Sequence, residues 1–171
     1  KRYENISGFQ LDVTDKENCI KKALELESEL KKTDQISCIF LGDGATEEGV
    51  FYESLNFSAL KNLPVLYICE NNLYSVYSPL SVRQPKDRSI TQMVESIGIE
   101  SECISSQDAL QIYQTIKNKI DAARNKGPQF IEFFTYRWRE HRGPNFDNNL
   151  GYRSEKEFND WKAKDPINLI N

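Results

Sequence analysis

The order of apolar and polar segments along this chain predicts an alternation of strands and helices. Short runs of consecutive apolar residues are typical of strands that are buried on both faces of a parallel sheet. Segments in which apolar residues recur every three or four positions are typical of amphipathic helices. Because the two kinds alternate, we expect an α/β fold with a mainly parallel sheet flanked by helices. The predicted strands are residues 36–41, 65–70, 99–105 and 129–136.

The helical segments begin and end at recognisable signals. Asp15 is a suitable N-cap for the first, and Ser154-Glu155-Lys156-Glu157 has the form of a capping box for the last, which Asp165-Pro166 ends. The predicted helices are residues 16–32, 46–62, 89–97, 108–126 and 154–164. On the fourth helix, the predicted apolar face consists of Leu110, Tyr113, Ile116, Ile120 and Ala123.

The length of 171 residues is that of a single domain, residues 1–171. Residues 1–15 are expected to be extended or loop. Residues 71–87, which contain two prolines, are predicted to be a long loop that lies across a site or an interface. Within the domain, we expect a core of β-α-β units over residues 36–136, a loop over 137–153 and a helical C-terminal segment over 154–171.

Polar residues follow two neighbouring predicted strands at the point where each ends. Asp43 lies between Gly42 and Gly44, and an asparagine pair ending at Asn72 follows the second strand. The glycines allow a positive φ and a close approach of backbone N–H groups to an anion. A carboxylate and an amide oxygen, with the Tyr74 carbonyl as a further ligand, suit a Mg²⁺ ion shared with a diphosphate. The carboxyl ends of parallel strands are also where α/β proteins bind ligands.

Composition excludes several classes of function. A net charge of −4 and a pI of 5.2 argue against a nucleic-acid partner. No apolar run is long enough to cross a membrane. The four cysteines are scattered and include no Cys-x-x-Cys pair; two of them, Cys38 and Cys69, fall in predicted buried strands. We therefore expect a reduced, cytoplasmic protein.

Two longer strings around these motifs carry a resemblance to a known family. They are GDGATEEGVFYESLN at residues 42–56 and LPVLYICENNLY at residues 63–74. Both resemble the alpha subunit of the thiamine-diphosphate-dependent decarboxylating component of 2-oxo acid dehydrogenase complexes, of the pyruvate, branched-chain and acetoin type. The resemblance extends over about residues 36–168. It implies the thiamine-diphosphate-binding fold, and specifically its diphosphate-binding domain.

The resemblance also implies roles for individual residues. Asp43, Asn72 and the Tyr74 carbonyl would bind Mg²⁺. Gly42, Gly44 and Ala45 would bind the cofactor, with the N–H groups of Gly44 and Ala45 on its diphosphate. The carboxylate that activates the cofactor's aminopyrimidine normally comes from a partner beta subunit. The active site would therefore form between subunits of an alpha2-beta2 heterotetramer.

A second motif, TYRWREHRGP at residues 135–144, resembles the family loop that covers the cofactor. His141, the single histidine of the chain, aligns with a histidine that lies near the diphosphate and the substrate channel. Histidine changes its charge near neutral pH, so it can donate to a phosphate or to a carboxylate. Arg137 is expected to pair either with acidic neighbours or with phosphate. Arg139 and Arg142 make this loop more basic than the family pattern, which favours a more acidic substrate.

The main hypothesis is the oxidative decarboxylation of a pyruvate-like 2-oxo acid, with acyl transfer to lipoamide or a similar acceptor on a lipoyl-bearing acyltransferase. Two alternatives stay open: a thiamine-diphosphate-dependent carboligase or decarboxylase of sugar or polysaccharide biosynthesis, and a non-catalytic remnant module. The sequence begins without methionine and is shorter than the resembled subunits, so we expect a fragment or a truncated relative with part of its N-terminal region missing. Such a chain would be inactive without its beta subunit.

Overall fold

A parallel sheet organises the part of the chain that can be described. The computed structural model describes residue 25 and residues 34–170, without the side chains of residues 169 and 170. Residues 1–34 form one unit and residues 35–171 another. The predicted loop 1–15 and helix 16–32 lie outside the described residues, except at Glu25.

The strands of the second unit follow the predicted order. They are β1 Ser37–Gly42, β2 Val65–Asn71, β3 Tyr74–Ser75, β4 Ser78–Pro79, β5 Glu100–Ile104 and β6 Gln129–Phe134. The helices are α1 Gly49–Lys61, α2 Leu80–Arg83, α3 Ile90–Ser96, α4 Ala109–Lys126, α5 Glu155–Lys162 and α6 Pro166–Ile170. Two 3₁₀ turns cover Asp43–Glu47 and Asn148–Leu150.

The main sheet has the strand order β1-β2-β6-β5, and every pair in it is parallel. This confirms the predicted α/β class with a parallel sheet. Gly42 at the end of β1 is paired with Glu70, and Asn71 at the end of β2 is paired with Phe134. Strands β1, β2 and β6 therefore end together, and the segments that follow them leave from one edge of the sheet.

Helices cover both faces of the sheet and bury its central strands. On one face α1 and α3 pack with alternate residues of β2 and β6 around Leu55, Val94, Ile99, Tyr67 and Phe130. On the other face Leu66, Ile68 and Ile131 pack against Ile112, Ile116 and Ile120 of α4. Asp108 caps α4 by accepting the Leu110 N–H at 2.8 Å. In each cluster, apolar side chains of β2 and β6 fill the space between the sheet and the helices that cover it. Such burial on both faces is typical of a parallel sheet.

The prediction that the first strand is buried was wrong. Among the strands that the structure describes, β1 pairs with β2 alone and lies at the edge of the sheet, so Cys38 is exposed and Phe40 is 66% exposed. The face predicted for α4 was also partly wrong, because Leu110 and Tyr113 are exposed while Ile112 joins Ile116 and Ile120 in the contact. Ile116, Ile120 and Ala123 are packed or buried as predicted, so this second error is confined to the N-terminal part of the helix.

The segment predicted as the long loop 71–87 contains regular structure. It forms the two-stranded β3–β4 ribbon followed by the single turn of α2. Leu73 and Val76 have positive φ angles of 68° and 57°, which allow the chain to reverse here. Over the described part of the chain, no helix is both long and apolar enough to span a lipid bilayer.

Candidate functional site

The segments that follow β1 and β2 meet at the carboxyl edge of the sheet. Asp43 begins a 3₁₀ turn directly after β1, and this turn lies against β3, which follows β2 by two residues. A Cβ atom on Gly44 would stand 2.8 Å from Ser75 Oγ, so only glycine allows this approach. The structure thus brings together the two segments in which the sequence predicts site residues.

One detail of the prediction around Asp43, the start of the helix, was wrong. The glycines on either side of Asp43 do not use the positive φ that glycine permits, and Gly42 is extended with φ −85° and ψ 163°. The helix expected from residue 46 begins at Gly49, because the 3₁₀ turn intervenes. No side chain caps the start of that turn, and Ala45 lies exposed on it.

Asp43 is a buried carboxylate with a cationic partner. It is 1% exposed, and its Oδ2 forms an ion pair with Nη2 of Arg83. Its backbone carbonyl accepts a hydrogen bond from Thr46 Oγ1 at 2.7 Å, which fixes the turn. Because a buried carboxylate is costly unless it is paired, the guanidinium of Arg83 provides Asp43 with the partner that its burial requires.

Besides Asp43, Arg83 contacts two further groups. Nη1 forms an ion pair with Glu47, and Nε donates to the Ser78 carbonyl at 3.1 Å. Glu47 also accepts a hydrogen bond from Gln84 Nε2 at 2.8 Å. Helix α2 therefore supplies a guanidinium to the turn after β1, and the two carboxylates of that turn share it.

The asparagine pair builds the turn after β2. Asn71 donates from Nδ2 to Glu132 Oε1 at 2.7 Å and accepts the Leu73 N–H on Oδ1 at 3.0 Å. Asn72 Oδ1 accepts the Tyr74 N–H at 3.1 Å. These bonds hold the backbone of the segment in place. An amide oxygen has two lone pairs, so Asn72 keeps one that can face a cation.

Glu132 lies on β6 below the asparagine pair and is 5% exposed. Burial raises the pKa of its carboxyl group, the hydrogen bond from Asn71 opposes that shift, and the nearby charge of Asp43 adds to it. A cavity of about 280 Å³ beside it is lined by Asn71, Cys103 and Arg88 among others. Two carboxyl groups thus lie at this edge, one paired with a guanidinium and the other with an amide.

Tyr74 uses its side chain for packing. Its hydroxyl donates to Glu157 Oε2 at 2.8 Å, and its ring lies 5.3 Å from that of Tyr152. Burial, followed by the hydrogen bond to Glu157, raises the pKa of this hydroxyl group. The side chain of Tyr74 therefore ties the segment after β2 to α5.

The segment 137–153 is fastened at its base and exposed at its tip. Asp147, which is 1% exposed, forms an ion pair with Arg153 and accepts from Tyr152 at 2.6 Å. Arg137 lies 3.7 Å from Asp147 and donates to the Val76 carbonyl at 3.0 Å. Arg137 thus pairs with an acidic neighbour, one of its two expected roles. Within the described residues, exposed His141 makes no hydrogen bond or ion pair.

The donor set at the edge fits a magnesium ion. It offers one carboxylate from Asp43, one amide oxygen from Asn72 and the carbonyl of Tyr74, which are hard oxygen ligands. The close contact at Gly44 brings the two segments that carry them together. No group of three or more His, Cys, Asp or Glu side chains suited to a metal occurs among residues 34–170, and the predicted set does not require one.

Sequence reasoning missed Arg83 and Glu132. Glu132 did carry a signal, because it is a charged residue inside the apolar run QFIEFF. Arg83 carried none, since it reaches Asp43 across 40 positions and only the fold brings them together.

Comparison with known proteins gives one matching family and several relatives. The family model described as "Dehydrogenase E1 component" matches residues 4–171. The pyruvate dehydrogenase E1 component subunit alpha of Acholeplasma laidlawii is 33% identical over 86% of this chain and 43% of the relative. The 2-oxoisovalerate dehydrogenase subunit alpha of Bacillus subtilis (strain 168) is 30% identical over 84% of this chain and 43% of the relative.

Another relative is the pyruvate dehydrogenase E1 component subunit alpha of Staphylococcus aureus (strain Mu50). It is 33% identical over 77% of this chain and 35% of the relative. The chain thus spans less than half the length of the curated relatives it matches. Among solved structures, a transketolase mutant from Pichia stipitis matches with a TM-score of 0.52 and 19% identity, over 63% of this chain and 16% of that one. That likeness concerns the fold alone.

Proposed function

Because the chain belongs to the dehydrogenase E1 component family, we propose that it holds Mg²⁺ and the diphosphate of thiamine diphosphate in the alpha subunit of a 2-oxo acid dehydrogenase. The observation that carries this proposal is the meeting of two segments at the carboxyl edge of the sheet. Gly44 there allows the turn that begins at Asp43 to contact Ser75, three positions after Asn72. Thiamine diphosphate, when bound, supplies the nucleophile and the electron sink for decarboxylation.

The residues of this chain would hold the cofactor rather than react. Asp43 supplies the negative charge for Mg²⁺, and Asn72 and the Tyr74 carbonyl supply neutral oxygens. The backbone N–H groups of Gly44 and Ala45 would donate to the diphosphate, in the turn that no side chain caps. Glu132 orients the segment that carries Asn72 through its bond to Asn71.

His141 would act at the open side of the site. The base of its loop is fastened to the carbonyl of Val76, in the turn between β3 and β4, so the loop lies beside the proposed metal segment. The exposed tip is free to reach a bound phosphate or the carboxylate of a substrate, and an imidazolium could donate to either. The substrate would be a small 2-oxo acid.

The partners would be a beta subunit, in an alpha2-beta2 assembly, and a lipoyl-bearing acyltransferase that receives the acyl group. The large exposed apolar side chains Phe40 on β1 and Val50 and Leu60 on α1, which lie on different faces of the sheet, support surfaces that are covered in the assembly. Cys38, Cys69 and Cys103 are free thiols, which supports the cytoplasm as the location.

The test is thermal unfolding of the complete polypeptide co-purified with its beta subunit. Thiamine diphosphate with Mg²⁺ at a hundred times the dissociation constant should add about 2.7 kcal/mol of stability. We expect Asp43→Asn to abolish the Mg²⁺-dependent part, and the matched variant Asp121→Asn, on the exposed side of α4, to keep it.

Each other outcome has a definite meaning. Stabilisation by the cofactor that survives Asp43→Asn would place the metal elsewhere and overturn the proposed ligands. A folded assembly with no stabilisation would favour a non-catalytic module. Product analysis with 2-oxo acids, using either lipoamide or aldehydes as acceptors, separates a dehydrogenase component from a carboligase.

A further inference from the structure

We propose that Arg83 is an internal cation that neutralises the metal site before metal binds, and that a divalent cation displaces it from Asp43. The inference rests on the proposed function, because it takes Asp43 as a metal ligand. It adds that the affinity of the site for metal is set by competition between an ion from solution and a guanidinium from the protein itself.

The first support is the burial of the pair. The side chain of Asp43 is 1% exposed and that of Arg83 is 10% exposed. A carboxylate at this depth needs a positive partner or it loses its charge. Within residues 34–170, Arg83 is the cationic side chain that contacts Asp43. The site therefore contains a positive charge even when no metal is bound.

The second support is that Arg83 engages the group that a divalent ion needs. Asp43 supplies the one carboxylate of the predicted donor set, and its Oδ2 already faces Nη2. A divalent ion and a guanidinium on the same carboxylate repel each other strongly in a buried setting. A metal ion that binds Asp43 therefore competes with Arg83 for the same carboxylate.

The third support is a second anchor that keeps Arg83 close after it leaves Asp43. Glu47 pairs with Nη1, and Gln84 holds Glu47 by a hydrogen bond of 2.8 Å. The Ser78 carbonyl accepts from Nε at 3.1 Å. Two of the three contacts of Arg83 can persist when Asp43 turns to the metal. The exchange therefore requires a rotation of one guanidinium and no refolding of α2.

The experiment is a titration of the complete polypeptide, co-purified with its beta subunit, with Mn²⁺ as the probe and no cofactor present. Free Mn²⁺ is measured by its electron paramagnetic resonance signal. We expect Arg83→Gln to bind Mn²⁺ about tenfold more tightly than wild type, because the competing charge is gone. The matched variant Arg124→Gln removes an exposed arginine that pairs with Asp121, and it should bind as wild type does.

Asp43→Asn separates the two proposals. It should abolish this binding in both the wild-type and the Arg83→Gln background. Binding that Asp43→Asn leaves unchanged would overturn the proposed metal site. Binding that depends on Asp43 but is equal or weaker in Arg83→Gln would overturn the role of Arg83 and leave the proposed function standing.

A second measurement covers the case in which Arg83→Gln does not fold. Wild-type protein is treated with phenylglyoxal, which modifies accessible arginines, and the peptides are quantified by mass spectrometry. Saturating Mg²⁺ should speed the modification of Arg83 and leave that of Arg124 unchanged. An Arg83 that stays equally protected with and without Mg²⁺ would contradict its displacement.

Discussion

Two buried carboxyl groups at the carboxyl edge of the sheet differ in how their charge is managed. Asp43 faces the guanidinium of Arg83. Glu132 accepts a hydrogen bond from the neutral amide of Asn71, and burial raises the pKa of its carboxyl group. Asp43 thus has a cationic partner, whereas Glu132 has a neutral one and burial disfavours its charged form.

This difference predicts how Glu132 affects stability with pH. Because its folded-state pKa lies above its unfolded-state pKa, the stability it contributes is present below the unfolded value and is lost as the pH rises through the folded value. Glu132→Gln keeps an acceptor for Asn71 and removes the charge. We therefore expect the melting temperature of this variant, relative to wild type, to rise as the pH increases above about 4.5.

The control for this prediction is Glu53→Gln, which changes an exposed glutamate of α1 in the same way. Its melting curve should follow that of wild type at every pH. Differential scanning calorimetry of all three proteins makes the comparison. If the Glu132→Gln and wild-type curves run parallel across the range, burial does not control the charge of Glu132.

At the scale of elements, the main sheet was predicted well because its strands coincide with runs of consecutive apolar residues in the sequence. Strand β2, with five buried residues in a row, cannot be placed on a surface. The β3–β4 ribbon gave no such signal, because it depends on contacts made in the fold. One of these is the hydrogen bond from Leu80 N–H to the Leu73 carbonyl at 2.8 Å.

The candidate site divides in the same way. Asp43 and Asn72 were predictable, because each follows a strand in a local turn motif and parallel strands end together. The partners Arg83 and Glu132 were not, because they reach Asp43 and Asn71 across 40 and 61 positions. Local sequence thus indicated the proposed ligands, whereas the groups that contact and orient them depend on tertiary structure.

The turn between α4 and β6 gives a prediction at this scale. Gly127 has a φ of 98°, and a Cβ atom there would stand 1.9 Å from Asn62 Oδ1. We expect Gly127→Ala to destabilise the protein by about 2 kcal/mol, since an L-residue is strained at this φ. Urea unfolding measures the difference.

Gly49→Ala is the matched control for this turn. Gly49 begins α1, and a Cβ atom there would meet no atom within 4 Å. Alanine favours a helix over glycine by up to about 1 kcal/mol, so this variant should be neutral or more stable. Equal effects of the two substitutions would mean that the backbone angle at Gly127 imposes no strain.

At the scale of the whole molecule, the two edges of the sheet are chemically different. Strand β5 presents Glu100, Ser101 and Glu102, and charged side chains of this kind protect an edge from further pairing. Strand β1 instead presents Cys38, Ile39 and the 66% exposed Phe40. Since the relatives are more than twice as long as the matched region, we expect the β1 edge to be covered in the complete assembled protein and the β5 edge to face solvent.

Cysteine labelling tests this expectation, because each edge strand carries an exposed thiol. In the complete protein assembled with its beta subunit, iodoacetamide should modify Cys103 on β5 at least about tenfold faster than Cys38 on β1. Burial raises the pKa of both thiol groups, and Glu132 raises that of Cys103 further. Since the thiolate is the nucleophile that attacks iodoacetamide and displaces iodide, this further rise in pKa slows the reaction of Cys103 and cannot produce the expected order. Equal labelling, or faster labelling of Cys38, would mean that the apolar edge of β1 is open to solvent in the assembly.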